Sequence, residues 1–300
     1  MGTANFAVNT LLELVNEKYD VVGVFTNPDK PFGRKQEVIF SDVKKAAIDL
    51  NLSVFQPEKF KEKEIEILKG LEPDFIVVVA YGKILPKKVL EIPRFGCFNL
   101  HASLLPKYRG ASPIQASIVN CEEESGICVI AMTENLDDGD ILKQVRTKIG
   151  LDENFQELSE RLSEIGSKAV CEVLKEVENG NEKRIHQNEE DATYVGKIEK
   201  NMGRINFDVD ALKVHKLICG YSLWPCAYCY IEDKIIKIYK SILRKEYSGR
   251  PGEVLDNKNF IVACKNGAVE FVEVQLQGKK RMLSKNFLNG FKLEKGQVLR

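Results

Sequence analysis

Short apolar runs alternate with amphipathic stretches through the first half of the chain. Val21 to Thr26, Leu52 to Phe55, Phe75 to Ala80 and Cys97 to Leu100 are strand-length runs, apolar almost throughout. Between them, Ser41 to Leu50 and Glu58 to Leu71 place apolar residues at helical spacing, with Ser41 positioned to cap the first of the two helices. Ile127 to Met132 and Ile141 to Ile149 predict two more strands. Asn154 to Val177 predicts a long helix carrying Phe155, Leu158, Leu162, Ile165 and Ala169 on one face. Strands that are apolar on both faces and separated by helices predict a mostly parallel sheet covered on both sides. Residues 1–178 are therefore expected to form a doubly wound α/β domain of Rossmann-like type.

The pattern then changes twice. Residues 179–200 are polar, rich in Asn, Glu and Lys, and lack periodicity, which suits a linker. Over 201–300 one helical stretch, Ala211 to Cys219, precedes short strands at Ala227–Ile231, Ile235–Ser241, Gly252–Leu255, Phe260–Ala263 and Ala268–Val274. Five short strands punctuated by Gly and Asn predict a small OB-like β-barrel.

Composition narrows the class. The chain is 44% hydrophobic and 29% charged, as in ordinary globular proteins, and no run of 18 apolar residues spans a bilayer. The N-terminus lacks a secretory layout, so a cytoplasmic location without membrane contact is expected, as is a monomer. The eight cysteines are scattered and read as reduced, mostly buried side chains. Cys226 and Cys229 have redox-motif spacing but lie on a predicted strand, where residues three apart face opposite ways. No second pair accompanies them to make a metal site. His186 and His215 have no motif around them, and Trp224 is expected in the core. Charge is uneven: residues 201–300 hold 18 Lys and Arg against 10 Asp and Glu, and the first 200 hold 26 against 34. A basic module beside an acidic one suggests a polyanionic partner for the basic one.

The densest chemistry is Asn99-Leu100-His101-Ala102-Ser103-Leu104-Leu105-Pro106-Lys107-Tyr108-Arg109-Gly110. Asn99 and His101 are two apart at the carboxyl end of a predicted strand. They share a face there, at the end where open parallel sheets hold their ligands. An amide donor beside an imidazole suits addition to a carbonyl carbon. After the strand Ile127 to Met132 comes an acidic turn, Glu134-Asn135-Leu136-Asp137-Asp138-Gly139-Asp140. A carboxylate from it can orient the His101 ring, and the residues alone leave Asp137, Asp138 and Asp140 equally eligible.

The Asn-x-His-x-Ser-Leu-Leu-Pro run resembles the signature of the formyltetrahydrofolate-dependent transferases. Their third member is an Asp in a Leu-Asp-x-Gly turn, a place that Asp137 occupies here. Met1-Gly2-Thr3-Ala4-Asn5-Phe6-Ala7-Val8 and Arg109-Gly110-Ala111-Ser112-Pro113-Ile114-Gln115 are similar to segments of the branch acting on methionyl-tRNA. So are Ala192-Thr193-Tyr194, Gly203-Arg204-Ile205, Trp224-Pro225 and the stretch from Gly278 to Gly290. The resemblance covers nearly the whole chain. It implies Asn99, His101 and Asp137 as the catalytic set, with Ser103, Leu104, Leu105 and Pro106 lining the folate site. It also implies 10-formyltetrahydrofolate as co-substrate without a metal, and initiator methionyl-tRNA as acceptor. Arg34 and Lys35 match a loop laid on the tRNA acceptor end. Lys237, Lys240, Lys279, Lys280 and Arg281 are the barrel's candidate tRNA contacts. Relatives carry an apolar strand ahead of Met-Gly-Thr, so a central strand is expected to be missing, with core exposed beside it. Asn135 and Asp138 replace a usual Gly and Thr. Two other readings stay open: a formyltransferase acting on a sugar-nucleotide amine, and a catalytically silent tRNA-binding homologue.

Overall fold

The computed structural model describes residues 1–32 and 37–300, with the side chains of 30–38 left out of the description; Arg34 and Lys35 therefore lie outside the described residues. The chain divides into two compact units. One comprises Met1–Pro113, Ser125–Thr147 and Ser159–Val195; the other Ile114–Glu124, Lys148–Leu158 and Gly196–Arg300.

In chain order the first part runs α1 (Val8–Asn16), β1 (Val24–Phe25), β2 (Lys30–Phe32), β3 (Glu37–Ile39), α2 (Asp42–Asp49), β4 (Val54–Phe55), α3 (Glu62–Gly70), β5 (Ile76–Val79), α4 (Lys87–Leu90) and β6 (Cys97–His101). It continues with β7 (Arg109–Gly110), α5 (Pro113–Val119), β8 (Glu124–Ala131), β9 (Ile141–Lys148) and α6 (Phe155–Glu178). Local chemistry sets the helix starts: the Ser41 hydroxyl accepts from Lys44 N at 3.1 Å, and Glu64 accepts from Lys61 N at 3.1 Å. The predicted strands appear with shifted ends, β1 reduced to Val24–Phe25 and β8 beginning earlier at Glu124, while α1 escaped the sequence pattern.

β1 pairs in parallel with β4, and β5 with β6; β6 then runs antiparallel to β8 in the sheet order β5-β6-β8-β9. β1 and β5 are not paired with each other. Met1 and Gly2 lie between them: Gly2 N donates to Phe25 O (2.9 Å), Val79 N to Met1 O (2.9 Å) and the Met1 amino group to Val77 O (2.6 Å). Beside this link opens a cavity of about 460 Å³ with Leu14, Tyr19, Gly23, Val24 and Val77 among its walls. Burial pushes the Met1 amino group down to about 5. A long helix, α6, buries Leu158, Leu162, Ala169, Val170 and Leu174. Gly166 lets α6 reach the site strand β6, because a Cβ there would sit 2.6 Å from a Leu100 methyl.

β10 (Tyr194–Val195) still belongs to the first unit; beyond it come α7 (Ala211–Gly220), β11 (Ala227–Ile231), β12 (Lys234–Arg244), β13 (Val254–Asp256), β14 (Ile261–Ala263), β15 (Ala268–Leu276), β16 (Met282–Leu283) and α8 (Ser284–Gly290). Antiparallel pairing gives the order β11-β12-β15-β14-β13, with β16 on β15. Residues 297–300 join the two edges: Val254 N donates to Gln297 O (2.8 Å) and Arg300 N to Tyr230 O (3.0 Å), which closes the sheet into a barrel. Ile218, Phe260, Phe271, Val274 and Phe287 fill its interior. His215 of α7 is fully buried. Its Nδ1 lies 2.9 Å from Ser241 Oγ, and its Nε2 lies 3.1 Å from Asp152 Oδ1 and 3.2 Å from Leu151 O. Burial holds its pKa below the ordinary value, against the opposing pulls of Asp152 and Leu151 O.

Two measurements follow. Gly166→Val forces a side chain into Leu100 and should lower the free energy of unfolding in urea by about 1–3 kcal/mol. His215 folds in its neutral form, so the stability it contributes is complete above its ordinary pKa of 6.5 and declines as pH falls through the lower folded value. Urea midpoints measured from pH 8 to pH 5 should therefore fall below about pH 6.5 in the parent chain. In His215→Gln they should fall less steeply.

Candidate active site

Strand β6 delivers the first two residues. Asn99 and His101 alternate with Leu100, which turns into the core, so both face the same way at the strand's carboxyl end. Asp137 arrives on the turn between β8 and β9 with φ of 53°, a left-handed backbone that turns its side chain back over β6. Asn99 Nδ2 donates to Asp137 Oδ1 at 3.1 Å. The other oxygen, Oδ2, accepts from Gly110 N at 2.8 Å and lies 3.5 Å from His101 Nδ1. His101 Nε2 lies 2.9 Å from the Tyr108 carbonyl oxygen, so that nitrogen carries its hydrogen. His101 is 5% exposed, and one carboxylate ties amide, imidazole and loop backbone into one cluster.

Of the three acids, Asp137 is the one within 4 Å of a His101 nitrogen. Asp138 binds the Thr133 hydroxyl and accepts from Asn135 Nδ2 at 2.8 Å, and Asp140 binds His186 Nδ1 at 3.1 Å. Neither reaches His101 in these contacts; the Asn135–Asp138 bond also shows how the replaced turn residues support each other.

After His101 the chain folds back tightly. The buried Ser103 hydroxyl donates to Lys107 O at 2.6 Å, and Gln144 Nε2 donates to Leu105 O at 3.1 Å. Leu105 is buried with Cys128, Ile130 and Ile141, so it anchors the loop in the core. Leu104 and Pro106 are half-buried and remain the members of this segment open to a ligand.

A further layer went unread in the sequence. The stretch 179–200, expected as a linker, returns to the site. Ile185 pairs with Ile141, and β10 pairs in parallel with β7 through Tyr194↔Arg109 and Val195↔Gly110. Buried Gln187 donates to Asp137 O (2.9 Å) and Gly139 O (2.7 Å), fixing the turn that carries the carboxylate. Its oxygen accepts from Arg109 Nε (3.1 Å) and Nη2 (3.0 Å). Arg109, 1% exposed, also meets Glu189 at 2.7 Å and Tyr194 Oη at 2.9 Å. The guanidinium beside Glu189 holds that carboxyl below its usual range. Gly110, at φ +115°, is required here: a Cβ would lie 2.3 Å from Val195 O. The sequence signal was Arg109-Gly110 itself, read only as part of a motif.

The remaining candidates lie on the barrel. Lys240, Lys279, Lys280 and Arg281 are exposed and Lys237 half-exposed; Arg281 is paired with Glu273 at 2.6 Å. Trp224, expected in the core, is 56% exposed. The turn after it, with Cys226 at φ 69°, puts Pro225 and Cys226 inside instead. Cys226 and Cys229 are both buried, and burial pushes the Cys229 thiol far up, away from thiolate chemistry. Among the described residues no group of three or more His, Cys, Asp or Glu is placed to hold a metal ion, and no helix is long and apolar enough to cross a membrane.

A doubly wound α/β unit with an amide–carboxylate–imidazole cluster at the carboxyl end of its strands, followed by a β-barrel, defines an enzyme built for group transfer at a carbonyl carbon. The comparisons give the family. Residues 1–174 match the formyl transferase model and residues 197–292 match the formyl transferase C-terminal domain. The chain belongs to the formyl transferase family. It is 42% identical over 305 residues to a methionyl-tRNA formyltransferase of Clostridioides difficile (strain 630), covering 100% of this chain and 98% of the relative. It is 41% identical over 308 residues to one from Lachnospira eligens, with the same coverage. Among solved structures, the sugar 3N-formyl transferase WlaRD superposes with a TM-score of 0.68 at 23% identity, over 93% of this chain and 97% of that one. HypX from Aquifex aeolicus, in complex with tetrahydrofolic acid, gives 0.61 at 18% identity, over 80% of this chain and 43% of that one. Both share the fold.

Gln187→Leu removes two donors from the Asp137 turn and one acceptor from a buried guanidinium. It should lower unfolding free energy by about 2–4 kcal/mol, read from urea denaturation. An unchanged midpoint would show that Gln187 does not hold the turn.

Proposed function

We propose that this chain transfers the formyl group of 10-formyltetrahydrofolate to the free amino group of methionyl initiator tRNA, working as a monomer in the cytoplasm. The single observation that carries the reading is the shared carboxylate of Asp137, which holds Asn99 and His101 against one another at the strand end. Relatives named for this activity match the chain from end to end at about 40% identity, whereas the superposed sugar formyltransferases support the fold alone.

The donor set fits a formyl donor. The Asn99 amide can donate to an oxygen, with the carboxylate holding it in place beside the imidazole, which suits a neutral carbonyl that gains charge on attack. The resemblance assigns half-buried Leu104 and Pro106 to the folate, and Ser103 and Leu105 fix the loop that carries them. The bound donor would supply a formyl carbon on a nitrogen that can depart.

Each residue then has a physical task. The Asn99 amide nitrogen carries two hydrogens; Asp137 takes one, and the second serves the reacting oxygen. His101, held between Asp137 and the Tyr108 carbonyl, places its ring beside Asn99, where the negative charge develops. Asp137 fixes the orientation of both. The attacking methionyl amine enters neutral and loses a proton, and the departing folate nitrogen gains one. Lys237, Lys240, Lys279, Lys280 and Arg281 would meet RNA phosphates, and Arg34 and Lys35 are assigned to the acceptor end by the resemblance. The intact triad geometry favours an active enzyme over a silent RNA-binding homologue.

The test is transfer of labelled formyl from 10-formyltetrahydrofolate to charged initiator tRNA. His101→Ala and Asn99→Ala should each lower kcat by about 10²–10³-fold. Filter binding of the charged tRNA should be unchanged in both variants. Near-native rates in His101→Ala would overturn the mechanism, and turnover on an amino sugar alone would overturn the substrate.

A further inference from the structure

The second unit presents a sheet face that the triad does not use. Along β11, Ala227, Cys229 and Ile231 are buried while Tyr228 and Tyr230 turn outward. On β12, Ile236 and Ile238 are buried while Lys237 and Tyr239 turn outward. A register shift between Ile238 and Ser241 then puts Tyr239 and Lys240 outward in succession and returns Ser241 to the interior. Tyr228 stands opposite Lys237, and the two tyrosine rings of β11 meet edge-on with centroids 6.1 Å apart.

Cations lie on these rings. Exposed Arg204, whose backbone bridges to Tyr228, covers the Tyr230 ring at 5.6 Å. Arg281 covers Tyr239 at 4.1 Å. The loop entering β11 ends at Cys226, whose thiol donates to Leu223 O at 3.1 Å, and it holds Leu223 and Trp224 out at 53% and 56% exposure. Together this leucine and indole form an apolar patch on a module otherwise rich in charge. The module around it carries 18 cationic side chains against 10 anionic ones, so the complementary occupant is a polyanion with flat rings. Arg204 and Lys237 have no carboxylate within 4 Å among the described residues, leaving their charge for that occupant.

We propose that this face binds unpaired nucleotides of the acceptor RNA, stacking bases on Trp224, Tyr228 and Tyr230 and meeting phosphates with Arg204, Lys237 and Arg281. The inference rests on the reading of the acceptor as a tRNA and adds to it a stacking component beyond phosphate attraction. Every base has a π-face, so such a surface takes looped nucleotides without demanding one sequence. A double-helical stem, whose bases are already stacked, would meet only the cations.

Trp224 is the chain's only tryptophan, so fluorescence excited on the long-wavelength edge, where the tyrosines do not absorb, reports this position alone. The full chain is titrated with uncharged initiator tRNA transcript, an eight-nucleotide oligouridylate and a blunt RNA duplex. The tRNA and the oligouridylate should quench the fluorescence, and the duplex should not. Trp224→Leu and Tyr230→Leu should each weaken tRNA filter binding about tenfold at fixed salt. Tyr230→Phe should restore it, and the loss in formyl transfer should fall on KM for tRNA rather than kcat. Melting temperatures distinguish lost contacts from lost folding. Native affinity in both Leu variants overturns the proposal, as does tRNA binding without quenching. Fluorescence that responds to no RNA, with Trp224→Leu instead changing self-association in sedimentation, would assign the face to a protein contact and also overturn it. If the parent chain formylates no charged tRNA, the proposed function fails whatever the fluorescence shows. If it does formylate and the variants keep their KM, this inference fails alone.

Discussion

Everything at the candidate site depends on one carboxylate with two differently occupied oxygens. Asp137 Oδ1 holds the Asn99 amide; Oδ2 takes a backbone N–H from Gly110 and faces the His101 ring. A carboxylate largely withdrawn from water is costly unless hydrogen-bonded and paired, and each partner here meets that requirement while being fixed by it. The amide loses its freedom to flip, the ring its freedom to rotate, and the loop after β6 its freedom to lift. Preorganisation of that kind lets weak groups act on a transient charge without reorganising at the moment of reaction.

The carboxylate is itself held from behind. Gln187 donates to two carbonyls of the Asp137 turn and accepts from Arg109, while Arg109 is fastened by Glu189 and Tyr194. A short parallel pairing of β7 with β10 adds a backbone clamp at Gly110, where no side chain fits. This arrangement makes the polar stretch 185–195 part of the site's support. Its polarity reflects the acceptors that a buried guanidinium requires and the donors that the Asp137 turn takes.

The barrel presents a different physical problem. Its closure runs through residues 297–300, which satisfy both edge strands and leave the outward faces as the surfaces open to a partner. Alternation on β11 and β12 sorts small and branched side chains inward and tyrosines and lysine outward. Placing Trp224 in water rather than in the core follows from the turn at Cys226, which turns Pro225 and the thiol inward.

Hydrophobic periodicity alone was enough to place β1, β4, β5 and β6, the helices α2 and α6 and five of the barrel strands, because burial on one or both faces leaves a period of its own. The two-residue spacing of Asn99 and His101 likewise fixed their common face, since strand geometry is local. Three things needed the fold. The choice of Asp137 over Asp138 and Asp140 turns on a left-handed φ and on Thr133 and Asn135 drawing Asp138 away, which no spacing rule contains. Gln187 and Arg109 meet across 78 residues, and a polar stretch carries no periodic mark of a distant partner. The link made by Met1 and Gly2 between β1 and β5, with a cavity beside it, is likewise a matter of which strands stand side by side. Local geometry is written along the chain, while convergence is decided by where tertiary packing brings its ends together.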